Sequence, residues 1–366
     1  MRIGAWAGAV VLVAAVTAGE ARGQAAGPQD GPETGPASEA DGGGFSLTVE
    51  NDMFVPGEDG TDRYYTQGLK ATVLTGDLEG GLLGPTLKRW LPGTGAGGTD
   101  WRVRATVGLG QNMYTPEDKV RTDPDPDDRP YAGWLYLSTA AIAYTPQQMA
   151  SLELQVGVVG PDAFAGRVQN WWHVVIGAPP INGWDHELDN EIGINLYGEW
   201  RGRLMVGAEH GPGVDLIGMT TAAVGNVEVS AGGGAILRAG WNLADDFGPP
   251  RLRPGAAATE FFDGHRASAY VYAGASGRLV GRDIFLDGNT FGDTPSVEKN
   301  SFVPELTAGV AARIPPVRFY RDLSTPPVRI GYQWIWREEE FRGQNGPSRF
   351  GAWTVTLVTN GMTPWW

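Results

Sequence analysis

Apolar and polar residues alternate along most of this 366-residue chain, the period-two pattern of strands with one buried face. Gly-Pro and Asn-Gly pairs separate many of the alternating stretches, as expected for tight turns. The pattern predicts twelve strands: Phe45–Val49, Leu69–Val73, Trp101–Gly110, Trp134–Tyr144, Leu152–Val159, Gly193–Val206, Gly213–Val224, Val227–Trp241, Ser268–Leu279, Phe302–Ile314, Val328–Trp336 and Trp353–Leu357.

An even number of alternating strands favours an all-β fold, an antiparallel transmembrane β-barrel of about 12 strands. Aromatic residues such as Trp134, Tyr144 and Trp241 lie near segment ends, where the girdles at the two membrane interfaces would place them. After the amino-terminal segment, whose apolar stretch could also be an uncleaved anchor, the sequence contains no apolar run long enough for a transmembrane helix. A soluble β-sandwich has the same periodicity and is the alternative.

One stretch, Gly166 to Asn190, departs from the strand pattern. Apolar residues recur there at helical spacing, and Pro179-Pro180 ends the pattern. We therefore expect a short amphipathic helix in the loop between the fifth and sixth strands, with an apolar face of Val168, Trp171, Trp172, Val175 and Ile176.

The amino terminus has the pattern of an export signal. Arg2 precedes the apolar stretch Ile3 to Ala18, and small residues follow it. We predict a cleaved signal peptide at 1–24 and a disordered leader at 25–43, a segment too poor in apolar residues to fold. Residues 44–366 then form one barrel domain.

Composition narrows the function classes. The chain has no cysteine, so disulfides and thiolate metal sites are excluded. Its net charge of -14 argues against nucleic-acid binding, which needs clustered Lys and Arg.

Two side chains on the predicted helix are candidates for catalysis. Histidine titrates near neutral pH, which makes His173 a candidate general base for activating water. Gln169 lies four residues earlier, so both side chains project from one helix face. A structural histidine bonded to a backbone carbonyl is the alternative.

The end of the first strand collects polar residues. Glu50, Asn51 and Asp52 offer the hard oxygen ligands that Ca²⁺ prefers, although a solvated strand end would look the same. A hairpin to the next strand could bring Thr66 close to Asp52, and its hydroxyl could orient water or donate to an oxyanion. The loop between the two strands leaves the register open.

Taken in order, several motifs resemble the outer-membrane lipid A 3'-O-deacylase family, the LpxR-like proteins. These motifs are Val49 to Asp52, Asp62 to Gly68, Gln111 to Pro116, Asp128 to Trp134, Gln169 to Gly177, Gly183 to Glu191 and Glu340 to Gln344. Two departures from the family pattern are Pro179-Pro180 after the helix and Glu187 where we expect Gln.

The resemblance implies a Ca²⁺-dependent esterase of the bacterial outer membrane that removes the 3'-linked acyloxyacyl group of lipid A. In this chain it implies His173 as general base, with Gln169, Thr66 and Asn51 as supporting residues. It implies Ca²⁺ near Asp52 and Asn51. As partners we expect lipid A or lipopolysaccharide and the barrel assembly machinery, with the barrel a monomer.

Two other functions stay open from the sequence. A serine-type outer-membrane phospholipase would need a serine beside His173, and no serine lies in a recognisable motif. A non-enzymatic pore or structural barrel would leave the helix with Gln169 and His173 unexplained.

Overall fold

The computed structural model describes residues 43–55, 63–78, 101–207, 211–243, 246–249, 266–320 and 323–359. The predicted signal peptide and residues 25–42 of the predicted leader lie outside this range. Gly43, which we placed at the end of the leader, is the first residue of the first strand.

Twelve antiparallel strands form a closed barrel, in which each strand pairs with its neighbours in sequence and the last pairs with the first. The closed barrel confirms the predicted fold and excludes the β-sandwich. The strands are β1 Gly43–Asn51, β2 Tyr64–Leu74, β3 Arg102–Thr115, β4 Ala132–Tyr144, β5 Gln148–Val159, β6 Glu191–Gly207, β7 Pro212–Gly225, β8 Glu228–Trp241, β9 Ser268–Asp283, β10 Phe302–Ile314, β11 Val328–Arg337 and β12 Ser348–Thr359.

The strands alternate between an apolar outer wall and a polar lumen, the pattern of a barrel that faces lipid. In β3, Val107 and Leu109 are exposed on the outer wall, whereas Arg104 and Thr106 are buried on the opposite face. Alternation therefore assigns the odd-numbered residues of β3 to the outer wall.

Ion pairs fill the lumen. Lys70 and Glu153 are 2.7 Å apart near its middle, and both are buried. Glu340 accepts from Arg129 and lies near two further arginines at one end, while Asp246 bonds Arg238 and lies close to Arg329 at the other. Pairing of this kind is what allows so many charges to be buried.

The connections after β1, β3, β5, β7, β9 and β11 lie at one end of the barrel, which we call the helix end. The predicted helix is confirmed there as α1, Ala165–Ile176, between β5 and β6. A second helix, α2 Ile284–Asp287, follows β9. Among the described residues, no helix has both the length and the apolar composition to span a bilayer.

Shorter elements complete the described chain. Three 3-10 turns also lie at the helix end: Asp52–Phe54, Pro161–Ala163 and Gly183–His186. At the other end, Arg318–Tyr320 pairs with Leu323–Ser324 in a small hairpin.

Candidate active site on the outer wall

Helix α1 packs against the outside of the barrel. Gln111 lies on the lipid-facing side of β3, and its Nε2 donates to the carbonyl of Ala163 at 2.6 Å. Gly133, on the outer face of β4, has no side chain, so the helix approaches closely: a Cβ there would lie 2.6 Å from Cβ of Ala165. Met113 of β3 packs in the same cluster as Ala165. The helix is therefore an external element.

The polarity of α1 is inverted relative to an ordinary surface helix. Ala165, Gln169 and His173, at i, i+4 and i+8, are its buried residues. Trp171 and Val174 are 63% and 80% exposed, whereas Gln169 and His173 are only 2% and 3% exposed. Burying polar side chains costs free energy, which points to a function for the buried pair.

His173 is oriented by the turn that ends its own helix. Gly177 adopts φ 75, a left-handed conformation that glycine enters without strain, and the chain then returns through the two prolines. This turn brings the carbonyl of Pro179 to 2.5 Å from Nδ1 of His173. A carbonyl only accepts, so Nδ1 carries the proton and Nε2 is the basic nitrogen of the neutral ring.

Gln169 is held by Trp184. The indole Nε1 of Trp184 donates to Oε1 of Gln169 at 2.8 Å. Because indole is only a donor, this bond fixes which end of the amide is oxygen. Within the described part of the chain, Nε2 of Gln169 is buried without a hydrogen-bond partner. A buried unsatisfied donor is costly, so it is suited to meet a ligand oxygen.

Asn51 and Asp52 stand at the end of β1. Asn51 caps the 3-10 turn that follows, its Oδ1 accepting from the backbone N–H of Met53 at 2.8 Å. Asp52 is the first residue of that turn and is 3% exposed. Glu50 belongs instead to the lumen face of β1, the face on which Thr48 meets Thr354 across the seam. The structure thus places Glu50 and Asn51 on opposite faces of β1.

Register and a bulge place Thr66 beside this strand end. Asn51 pairs with Gln67, and the β2–β3 register shifts between Tyr65 and Gln67. Oγ1 of Thr66 lies 2.7 Å from Oγ1 of Thr115.

Thr115 shares the outer face of β3 with Met113, which belongs to the same hydrophobic cluster as Ala165 of α1. Asn51, Thr66 and α1 therefore lie along one stretch of outer wall at the helix end.

The oxygen donors at the end of β1 suit a hard cation of modest affinity. Asp52 supplies a carboxylate and Asn51 an amide oxygen, both of the kind that Ca²⁺ prefers. Over the described ranges, no group of three or more His, Cys, Asp or Glu side chains is arranged to hold a metal. A Ca²⁺ site here would use one carboxylate, with amide, backbone and water oxygens for the remainder.

Three supporting residues were missed by the sequence reasoning. Trp184 orients Gln169, and Tyr131 packs on Trp184 with ring centroids 5.0 Å apart. Asn170 closes the post-helix turn by bonding both the N–H and the carbonyl of Ile181. Trp184 and Tyr131 both belong to motifs singled out above. The residues next to them in sequence, however, do not indicate that these side chains support the helix.

Burial also changes two titrations near the helix. It raises the pKa of Tyr131 to about 12, so its hydroxyl stays protonated at neutral pH. Burial, and then the negative charge of Asp185, raises the pKa of Glu187 to about 7.

A closed twelve-stranded barrel with an apolar outer wall and an ion-paired lumen defines this chain as an outer-membrane β-barrel protein. The family model described as outer membrane protein LpxR matches residues 9–358. The chain therefore belongs to the LpxR family of outer-membrane proteins, and the resemblance and the outer-membrane location predicted from its motifs are confirmed.

One solved structure shares the fold. LpxR from Salmonella typhimurium superposes with a TM-score of 0.67 at 20% sequence identity, over 86% of this chain and 99% of that one. The translocator domain of the autotransporter NalP from Neisseria meningitidis is more distant, with a TM-score of 0.41 at 11% identity, over 87% of each chain. The search of curated proteins gave no match.

Proposed function

We propose that this protein hydrolyses the 3'-linked acyloxyacyl ester of lipid A at the outer wall of its barrel. Family membership and the structural match support the coarser statement that it is an outer-membrane barrel that modifies lipid A. The observation that carries the finer proposal is the buried pair on α1, Gln169 and His173, turned toward the barrel wall while the apolar side chains face outward.

In the proposed mechanism, Nε2 of His173 takes a proton from water, and the resulting hydroxide attacks the ester carbonyl. The bond to Pro179 keeps the proton on Nδ1 and so keeps Nε2 basic. The same proton then passes to the sugar oxygen as the ester bond breaks, which leaves a free acid and a free hydroxyl. No acyl-enzyme forms.

The supporting residues act on the oxygen atoms of the ester. Nε2 of Gln169 is a buried donor that can stabilise a developing oxyanion. Thr66, beside the end of β1, can orient the water, and Asn51 shapes the turn that carries Asp52. We propose that Asn51 and Asp52 hold Ca²⁺, which when bound would polarise the ester carbonyl as a Lewis acid.

The two other functions are less well supported. In serine hydrolase triads a carboxylate or amide side chain orients the histidine, whereas here Nδ1 bonds a backbone carbonyl. A pore would need an open lumen, but buried ion pairs cross it at both ends and near the middle.

Lipid A mass is the direct test of the proposal. The chain is expressed in a Gram-negative outer membrane, and lipid A is compared among wild type, His173→Ala and the control His186→Ala. Wild type and His186→Ala should remove one acyloxyacyl unit, and His173→Ala should not. The proposal would be rejected if the folded wild-type barrel, supplied with Ca²⁺, left several types of lipid A unchanged. Labelling by an active-serine probe would instead favour the serine enzyme.

A further inference from the structure

The outward face of α1, which comprises Phe164, Trp171, Val174 and Val175, is exposed and apolar. These residues recur on the side of the helix opposite Gln169 and His173. None of these four residues belongs to the hydrophobic cluster that holds the helix on the barrel, which contains Ala165 and Val168 instead. A patch of this kind on a protein surface marks an interaction site.

The position of α1 identifies the partner. The helix lies on the outer wall over β3 and β4, and on those strands Leu109 and Leu137 are 52% and 62% exposed on the same side of the barrel. That wall is the surface that meets lipid in an outer-membrane barrel. The outward face of α1 therefore extends an existing lipid-facing surface beyond the ends of the strands.

A positive charge near this face agrees with a position at the membrane interface. Arg167 begins the exposed side of the helix, and its guanidinium lies 5.5 Å from the ring centre of Phe164. An arginine beside exposed aromatic and branched residues is the composition of a helix that lies in the membrane interface, with its cation among headgroups and its apolar side chains below them.

We propose that the outward face of α1 is immersed in the leaflet at the helix end of the barrel, and that acyl chains of that leaflet are its partner. The inference does not depend on catalysis. If the proposed function is also correct, Gln169 and His173 lie between the barrel wall and a membrane-seated helix, so a lipid ester reaches them without leaving the leaflet.

Spin-label accessibility tests this proposal cleanly because the chain has no cysteine. Single variants Val174→Cys and Trp171→Cys are labelled with a nitroxide in phosphatidylcholine–phosphatidylglycerol vesicles. Collisions with oxygen, which concentrates in hydrocarbon, are compared with collisions with a water-soluble nickel chelate. Leu137→Cys on β4 is the lipid reference, and Asp123→Cys on an exposed loop is the water reference.

Labels at 174 and 171 should resemble the lipid reference, with oxygen collisions favoured over nickel. Resemblance to the water reference in these vesicles, which hold no other protein, would overturn the proposal and leave the face open to solvent or to another protein. Repeating the measurement in His173→Ala separates the two proposals, because that change should abolish deacylation without altering the accessibilities.

Discussion

At the scale of single residues, the proposed ester hydrolysis depends on two buried polar side chains. Gln169 and His173 are each fixed by one bond from the segment after α1, to Trp184 and to Pro179 respectively. The sequence predicted that these two side chains share a face, because they are four residues apart. It could not predict their orienting partners, since these depend on how the post-helix turn folds back.

The affinity of the proposed Ca²⁺ site should follow from its number of carboxylates. With Asp52 as the one charged ligand, we expect half-maximal activation at roughly 10⁻⁴–10⁻³ M Ca²⁺. Asp52→Asn should raise this concentration or abolish activation, while Asp123→Asn on the exposed acidic loop should leave it unchanged. Activity assayed against buffered Ca²⁺ measures this, and full activity of both variants in EDTA would contradict the assignment.

Glu187 makes the segment after α1 sensitive to pH. The pKa of its carboxyl is about 7 in the folded chain, against 4.5 ordinarily. Unfolding at a pH between these two values therefore releases a proton. Rising pH should therefore destabilise the segment. Glu187→Gln should slow hydrogen exchange of residues 177–190 at pH 8 relative to wild type, after correction for intrinsic rates, and should have no effect at pH 4. Equal protection of the variant and wild type at pH 8 as well as at pH 4 would show that the carboxyl is not desolvated.

At the scale of elements, close packing between α1 and β4 positions the site. Periodicity predicted the helix and its apolar residues. It did not predict that Trp171, Val175 and Ile176 of that face are exposed while Val168 packs against the barrel. Nor did it predict the bulge at Thr66, because an extra residue in one strand leaves no mark on the alternation of its neighbours. Gly133 is the residue that permits the close approach.

A methyl group at Gly133 should displace the helix. In Gly133→Ala the added Cβ would meet Ala165 at 2.6 Å and Ala163 at 3.0 Å. We expect lower deacylation and faster exchange of the α1 amides in a barrel that still folds. Gly218→Ala on β7 is the matched control, since a Cβ there has nothing within 4 Å. Equal activity in both variants would show that the docking of α1 does not matter.

At the scale of the molecule, alternation in the sequence favoured the barrel and predicted its strand number, whereas the outer-membrane location was predicted from the motifs that resemble the family. Several lumenal ion pairs were not predictable, because they join residues far apart in sequence. Arg129 and Glu340 are 211 positions apart, yet they are 3.3 Å from one another and fully buried. This pair connects two of the motifs that carried the family resemblance.

Removing the charge of Glu340 should destabilise the barrel strongly. Glu340→Gln leaves Arg129, and the nearby Arg278 and Arg337, without their shared carboxylate. We expect a loss of about 3–5 kcal/mol, against about 0–1 kcal/mol for Glu298→Gln, whose ion pair with Arg342 is exposed. Unfolding by urea in detergent, monitored by tryptophan fluorescence, compares the free energies of unfolding of the two variants. Similar losses would mean that the lumenal network is dispensable.

The central claim is that His173 activates water against a lipid A ester, and purified protein tests it most directly. Wild type, His173→Ala and His186→Ala are folded in detergent, checked for equal barrel content, and given defined lipid A with Ca²⁺. The acyloxyacyl acid released is then quantified by mass spectrometry. We predict that His173→Ala lowers the initial rate by about 10²–10⁴-fold, the usual contribution of a general base, while His186→Ala matches wild type. Release of the acid by His173→Ala at the wild-type rate would contradict the account.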